Sequence, residues 1–290
     1  MPSDRRRFEW EDAHPGICSD QFVVEVTESS IQDYRVATGN DSPETPPAYI
    51  FVVAPQRRHA TMASVGCHAP EQDSAEPRST PYVGSDVRFH RAIAVGDTIR
   101  STTVLDRKFE RGGNRFMVFK VNATDADGQP IAEYDYTCLW ERGAARPASG
   151  HRAQGSDARV TTGDVLIKTE TSETIAAYGT LPVDRPDDWM STHTNEEFAK
   201  TAIFGAAVNA GVATVGYSVQ WLDAVEKPGT LWNGGLLESR ALAPVKAGDD
   251  LQISGRVRED SPENSRVYEI LVVNQSGVTA FRSIATIPVL

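Results

Sequence analysis

The sequence predicts an α+β protein built from two copies of one unit, each an antiparallel sheet wrapped around a central helix. Three observations predict it: an internal repeat, two matched helix starts, and one small-residue apolar helix followed by long strands.

The repeat is sharpest where VRFHRAIAVGDTIRSTTVL (87–105) is echoed by ESRALAPVKAGDDLQISGR (238–256). Gly96-Asp97 falls on Gly248-Asp249 at an offset of 152, and Arg88 falls on Arg240 at the same offset. Ile93 matches Val245 in kind, as Ile99 matches Leu251. The Gly-Asp pairs read as strand-entry turns. A long β-type run follows each, NRFMVFKVNATDADGQPIAEYDYTCLW or SRVYEILVVNQSGVTAFRSIATIPV. Asp127-Gly128 and Ser276-Gly277 split these runs as hairpin turns would.

The starts of the two units also match. FVVEVTESSIQDYRVATG (22–39) and LIKTETSETIAAYGT (166–180) each read as a short strand, a Thr/Ser N-cap and a helix. Tyr34 lies on Tyr178 and Ile31 on Ile175. Between the units, ERGAARPASGHRAQGSDAR (141–159) is small, polar and turn-rich, the composition of a linker. The expected division is therefore an N-terminal unit over 1–141, a linker over 142–159 and a C-terminal unit over 160–290.

The central helix is VNAGVATVGYSVQWLDAV (208–225), where Val208, Val212, Val215, Val219 and Leu222 make one apolar stripe. Gly211, Ala213 and Gly216 leave room for close packing, and Pro228-Gly229 ends the element. The run from Gln56 to Pro81 reads as a long irregular surface or lid loop.

Composition excludes several classes. A net charge of −11 disfavours a protein that wraps nucleic acid or docks on an anionic membrane. The basic clusters Arg5–Arg7, Arg57–Arg58 and Arg88/His90/Arg91 read as solvated surface groups. No apolar run approaches the roughly 20 residues that cross a bilayer. MPSDRRRFEWEDAHPG lacks the apolar stretch of a secretory signal. Cys18, Cys67 and Cys138 have neither metal-ligand nor disulfide-framework spacing, so a cytoplasmic, reducing setting is expected.

The chemistry-bearing stretch is DDWMSTHTNEEFAK (187–200), which sets Asp188 and His193 five positions apart just ahead of a short helix. With its surroundings it resembles the MaoC-like (R)-specific enoyl-thioester hydratases and 3-hydroxyacyl-thioester dehydratases, in the double-hotdog form. Their pattern is an aspartate, Asn-Pro, an aliphatic residue, a histidine, an acidic helix near D-E-E-F-A, then Phe-Gly and a glycine opening the central helix. Asp188 and His193 keep the dyad spacing, Asn195–Ala199 the helix, Phe204-Gly205 the turn and Gly211 the helix opening. Met190-Ser191 replaces Asn-Pro, Thr192 the aliphatic residue, and Ala210 the histidine usual before the glycine. The insertion PVDRPD (182–187) supplies Asp184 and Asp187 as rival carboxylates. In the first half, Asn40 and Thr45 stand where the dyad would be, so the resemblance implies that this half makes room for an acyl chain.

The implied function is reversible hydration of a 2-enoyl thioester of coenzyme A or a carrier protein, with no metal or redox cofactor. Asp188 and His193 would grip one water as general acid–base groups. The Gly211 amide, at a helix N-terminus, would receive the thioester oxygen as charge builds on it. Glycine lets that oxygen approach the backbone closely. Trp189 either lines the acyl pocket or packs the loop, and His59, His68 and His90 read as surface or lid residues. No nucleic-acid or membrane partner is expected, and a homodimer is compatible with this reading. A hotdog thioesterase and a non-catalytic acyl-thioester-binding subunit are the alternatives.

Overall fold

The computed structural model describes residues 5–143, 162–181 and 184–289. The expected linker falls, from residue 144 onward, outside the described residues.

The first half runs β1 (Arg6–Arg7), β2 (Phe22–Glu25), α1 (Glu28–Thr38), α2 (Ile50–Val53), α3 (Arg58–Ala63), β3 (Cys67–His68), β4 (Tyr82–Phe89), β5 (Thr98–Arg111), β6 (Asn114–Thr124) and β7 (Pro130–Glu141). The second runs β8 (Leu166–Thr169), α4 (Ser172–Gly179), α5 (Glu196–Thr201), α6 (Gly211–Val225), β9 (Leu236–Ala241), β10 (Asp250–Val257), β11 (Ser265–Asn274) and β12 (Thr279–Pro288). Ten strands form one antiparallel sheet in the order β2-β5-β6-β7-β4-β9-β12-β11-β10-β8, and β1 pairs separately with β3. Each half thus contributes five strands in the same internal order. This is a double hotdog.

The repeat locates the seam. Strands β4 and β9 pair antiparallel, with Gly84 opposite Arg240, Asp86 opposite Glu238 and Arg88 opposite Leu236. An offset of 152 carries Asp86 onto Glu238, so the pseudo-twofold axis passes through that pair. Like charges directly opposite repel. Here Arg240 answers Asp86 with two hydrogen bonds, at 2.5 and 3.1 Å.

The repeated turns agree at the level of atoms. Gly96 and Gly248 take φ of 91° and 88°, conformations that favour glycine. Their N–H groups donate to the Val26 and Glu170 carbonyls, both at 2.8 Å. Asp97 and Asp249 close the turns by accepting from the Ala94 and Lys246 amides. Thr27 and Thr171 cap α1 and α4 through the same reciprocal bonds, to Ser30 and Thr174. Tyr34 and Tyr178 are both buried and meet edge to face at 6.2 Å.

Helix α6 is buried nearly all round, on Ala213, Val215, Tyr217, Val219, Trp221 and Leu222. Val208 falls outside it, since that residue makes a bridge with Lys246 and the helix begins at Gly211.

The expected loop over 56–81 is instead an ordered layer containing α3, β3 and a 3-10 turn at Pro70–Gln72. It closes a second apolar cluster of Phe8, Met62, Cys67, Met117 and Trp140 beneath the first half's sheet. Turn-rich composition suggested an irregular loop there. Burial of its few apolar side chains decided otherwise. The three cysteines are free. Among the described residues, no helix is long and apolar enough to cross a membrane.

Candidate active site

A cavity of about 380 Å³ is lined from both halves. Phe51, Val52, Tyr134 and Tyr136 supply an apolar and aromatic wall from the first half. The segment ahead of α5 adds Arg185, Trp189 and His193, and the start of α6 adds Gly211. Its volume lies within the ~300–1,000 Å³ range of small-molecule sites.

His193 is fixed in one tautomer. Its Nδ1 lies 2.7 Å from the Val208 carbonyl oxygen, which can only accept, so Nδ1 carries the proton. Nε2 is then the basic nitrogen, and among the described residues nothing hydrogen-bonds to it. Burial lowers the imidazole pKa to about 4; the Val208 bond opposes this, while Arg185 and Arg58 push the same way as burial. At neutral pH the ring is uncharged.

The acceptor of that bond is itself held. The Asn209 N–H donates to the Val245 carbonyl at 2.8 Å, and its side-chain amide donates to the buried Glu170 carboxylate at 2.8 Å. Glu170 also accepts from Thr174 Oγ1 at 3.0 Å. These bonds tie the stretch 208–211 to both α4 and the strand-entry turn before β10.

Asp188 is not brought to His193. Its side chain is exposed and accepts from Gln72 Nε2 at 3.0 Å, and it does not line the cavity. The local backbone explains this. Trp189 N–H closes a turn onto the Pro186 carbonyl at 3.0 Å, and Met190 N–H is pinned to the Glu71 carbonyl at 2.9 Å. With Met190-Ser191 in place of Asn-Pro, the turn directs residues 187 and 188 outward. Asp187 is exposed too. Asp184 does line the cavity, but it is spent on Arg57 at 2.5 Å and His59 at 3.4 Å.

Gly211 borders the cavity at the N-terminus of α6, and neither its N–H nor that of Val212 has an acceptor among the described residues. A Cβ at Gly211 would stand 2.1 Å from Tyr82 Cδ1. Packing alone therefore demands glycine here.

Three groups escaped sequence reasoning. Arg57 and Arg58, expected as solvated, are buried at 7% and 9% exposure. Arg58 pairs with the buried Glu71 at 2.6 Å, and its guanidinium lies 4.9 Å from the Trp189 ring centre. Glu71 Oε1 also accepts from Thr80 N–H and Oγ1, at 2.9 and 2.6 Å. His59, expected on the surface or a lid, is partly buried beside Asp184 and borders the cavity. The third is Arg185, which lines the cavity from the inserted segment. The one signal available for the arginines was their place one residue after the apolar run AYIFVVAP, which carries chain into the interior.

No protein-family model matches the chain, and no curated protein matches it in sequence. Solved structures do match in shape. A MaoC-like dehydratase superposes with a TM-score of 0.69 at 16% identity, covering 96% of this chain and 99% of its own. HtdX of Mycobacterium tuberculosis gives 0.65 at 15% identity, with 92% and 99% covered. A second Mycobacterium tuberculosis protein, described as having a double hotdog fold, gives 0.61 at 15% identity, with 97% and 98% covered. The chain has the double hotdog fold that its MaoC-like dehydratase neighbours share.

Proposed function

We propose that the chain is a hydro-lyase that adds water to, or removes it from, the Cα=Cβ bond of an acyl thioester. The observation that carries this reading is one neutral imidazole, free at Nε2, in a cavity that also meets the open N-terminus of α6. In hydration, Nε2 of His193 takes a proton from water as the water oxygen bonds to Cβ. The π electrons move to Cα and the thioester oxygen, where the Gly211 N–H and the helix dipole oppose the developing charge. The proton then passes from His193 to Cα. Dehydration runs the same steps backward. Phe51, Val52 and Tyr134 offer an apolar bed for the acyl chain, and the thiol carrier is coenzyme A or a carrier protein.

His193 alone serves as the acid–base group in this scheme. A dyad with Asp188 would require the 186–190 turn to reopen and Gln72 to release the carboxylate. Asp188→Asn should therefore leave the hydration rate within a few-fold. A loss of about 10²-fold or more would restore the dyad.

The unpaired imidazole favours a second reading, a thioesterase, because a lone base that activates water also suits attack on the thioester carbon. Following the enoyl-thioester absorbance together with free thiol separates the two. Loss of the chromophore without thiol release is the expected result. Thiol release means hydrolysis, and binding without either change means a non-catalytic acyl-thioester module.

A further inference from the structure

Among the described residues, no carboxylate pairs with Arg185. Among the described residues its one hydrogen bond is from Nη1 to the Gly179 carbonyl at the end of α4. A guanidinium cannot discard its proton, and it presents five N–H donors in a fixed fork. Arg185 lines the cavity, and also a second hollow that it shares with Asp20, Arg57 and Pro186.

The other charges lining that cavity are matched or lie at its exposed margin. Arg58 is paired with Glu71, and Asp184 with Arg57 and His59. Arg142 is exposed. Arg185 is thus an uncompensated, half-buried cation inside a protein whose net charge is −11. Every other described arginine with a resolved pKa shift is raised, whereas Arg185 is lowered by burial. A buried charge is costly without a counter-ion.

We propose that Arg185 receives a carboxylate carried by the acyl group, so that the substrate is a short enoyl or hydroxyacyl thioester bearing a second acid function. This deepens the hydro-lyase reading and rests on it for the thioester. Arg185 bonds the Gly179 carbonyl, and the Cβ position of that glycine lies 2.9 Å from His193 Cβ, which sets the guanidinium near the reacting centre. The carboxylate therefore belongs within a few bonds of Cα=Cβ, not at the far end of a long chain. Its arrival would also offset the Arg185 charge, which adds to burial in lowering the His193 pKa, and so strengthen the base when substrate is bound. The fork suits a carboxylate in two parallel hydrogen bonds. A permanent charge is the fitting partner, because the enolate oxygen is charged only in passing.

The test uses the full chain and two probes on one enoyl frame, 3-carboxyacryloyl-coenzyme A and crotonyl-coenzyme A, which differ by carboxylate against methyl. Binding is followed by tryptophan fluorescence, with Trp189 on the cavity wall, and turnover is followed separately. The carboxylated probe should bind about tenfold or more tightly than the methyl probe, the size of one charged hydrogen bond. In Arg185→Gln the ratio of the two affinities should fall to near one, and Arg185→Lys should restore part of it. Equal binding of both probes by the unaltered protein overturns the proposal even if both are hydrated. So does an Arg185→Gln effect that weakens both probes alike, which means Arg185 only caps α4. A fall in the turnover of both probes with affinities unchanged assigns the guanidinium to the enolate oxygen and also overturns it. Preferential binding without hydration leaves the carboxylate site standing and removes the hydro-lyase reading.

Discussion

The two halves share one strand order and one apolar core but differ in the helix each packs inside the sheet. In the second half, α6 runs unbroken for 15 residues through the curve of the sheet. In the first, the element facing it is a 3-10 turn at Pro47–Tyr49 leading into α2, with Ala48 Cβ 3.8 Å from the Cβ position of Gly216. That element stops at Ala54, whose φ of −130° and ψ of 66° are not helical, because Pro55 follows. The break frees volume, and the chain resumes as α3 with Arg58 and His59 facing the gap. The second half brings a helix terminus and His193 to the shared cavity; the first brings the wall left where its helix ends. Duplicated units diverge most cheaply where one proline ends an element, because the surrounding sheet is left intact.

The comparison breaks most sharply at the former dyad positions. General acid–base groups contribute about 10²–10⁴-fold, so His193→Ala should lower the hydration rate by that much with its circular dichroism unchanged. Asn40→Ala and Thr45→Ala, at the counterpart positions, should cost no more than a few-fold. Equal losses would mean that both halves are catalytic.

The first half's ion pair should matter next. Glu71→Ala leaves Arg58 buried beside Trp189 without its carboxylate, a change that costs about 3–5 kcal/mol in denaturant unfolding. Replacing both, as Arg58→Met with Glu71→Leu, should recover most of it. A double variant as unstable as the single one would show that the pair itself stabilises the layer.

Gly211→Ala tests how tightly the start of α6 is held. Overpacking against Tyr82 should cost about 1–3 kcal/mol. That cost should shrink in a Tyr82→Ala background, since the two residues touch. Additive costs would mean that another contact excludes the methyl group.

His193 also sets a pH dependence of stability. The His193 pKa is about 4 in the folded chain and about 6.5 when unfolded. As pH falls below about 6.5 the unfolded chain takes up the proton first, so this group's contribution is full above that pH. The contribution is lost as pH falls toward 4. His193→Gln should lower the slope of unfolding free energy against pH by up to about 1.4 kcal/mol per pH unit in that window, the equivalent of one proton. An unchanged slope would place the imidazole in ordinary water.

What could be read from the sequence was local or repeated. An offset of 152 was legible, because turn glycines and alternating side chains repeat wherever the backbone does, whereas the pairing of Asp86 with Glu238 at the seam came from the structure. The helix caps at Thr27 and Thr171 followed from residue type within one turn. The Asp188 and His193 spacing singled out a loop whose histidine lines the cavity, but not the loop's direction, which depends on a bond from Met190 to Glu71 far away in the chain. Arg58 with Glu71, and Asp184 with Arg57, are partnerships across distant segments. Nothing in a charge pattern distinguishes such a buried pair from two solvated ions. Arg185 was visible only as one letter of an insertion.

The seam has a consequence for folding. Strands β4 and β9 would be open edges if the halves were separate, rows of unpaired amides and carbonyls ready to template another chain. Joined, they satisfy each other, and the sheet ends instead at β2 and β8, four residues each. Contacts across the seam join residues that lie roughly half the chain apart, so it closes late, after a costly loop is fixed. Until then the nascent chain carries a sticky edge, and either half made alone should self-associate.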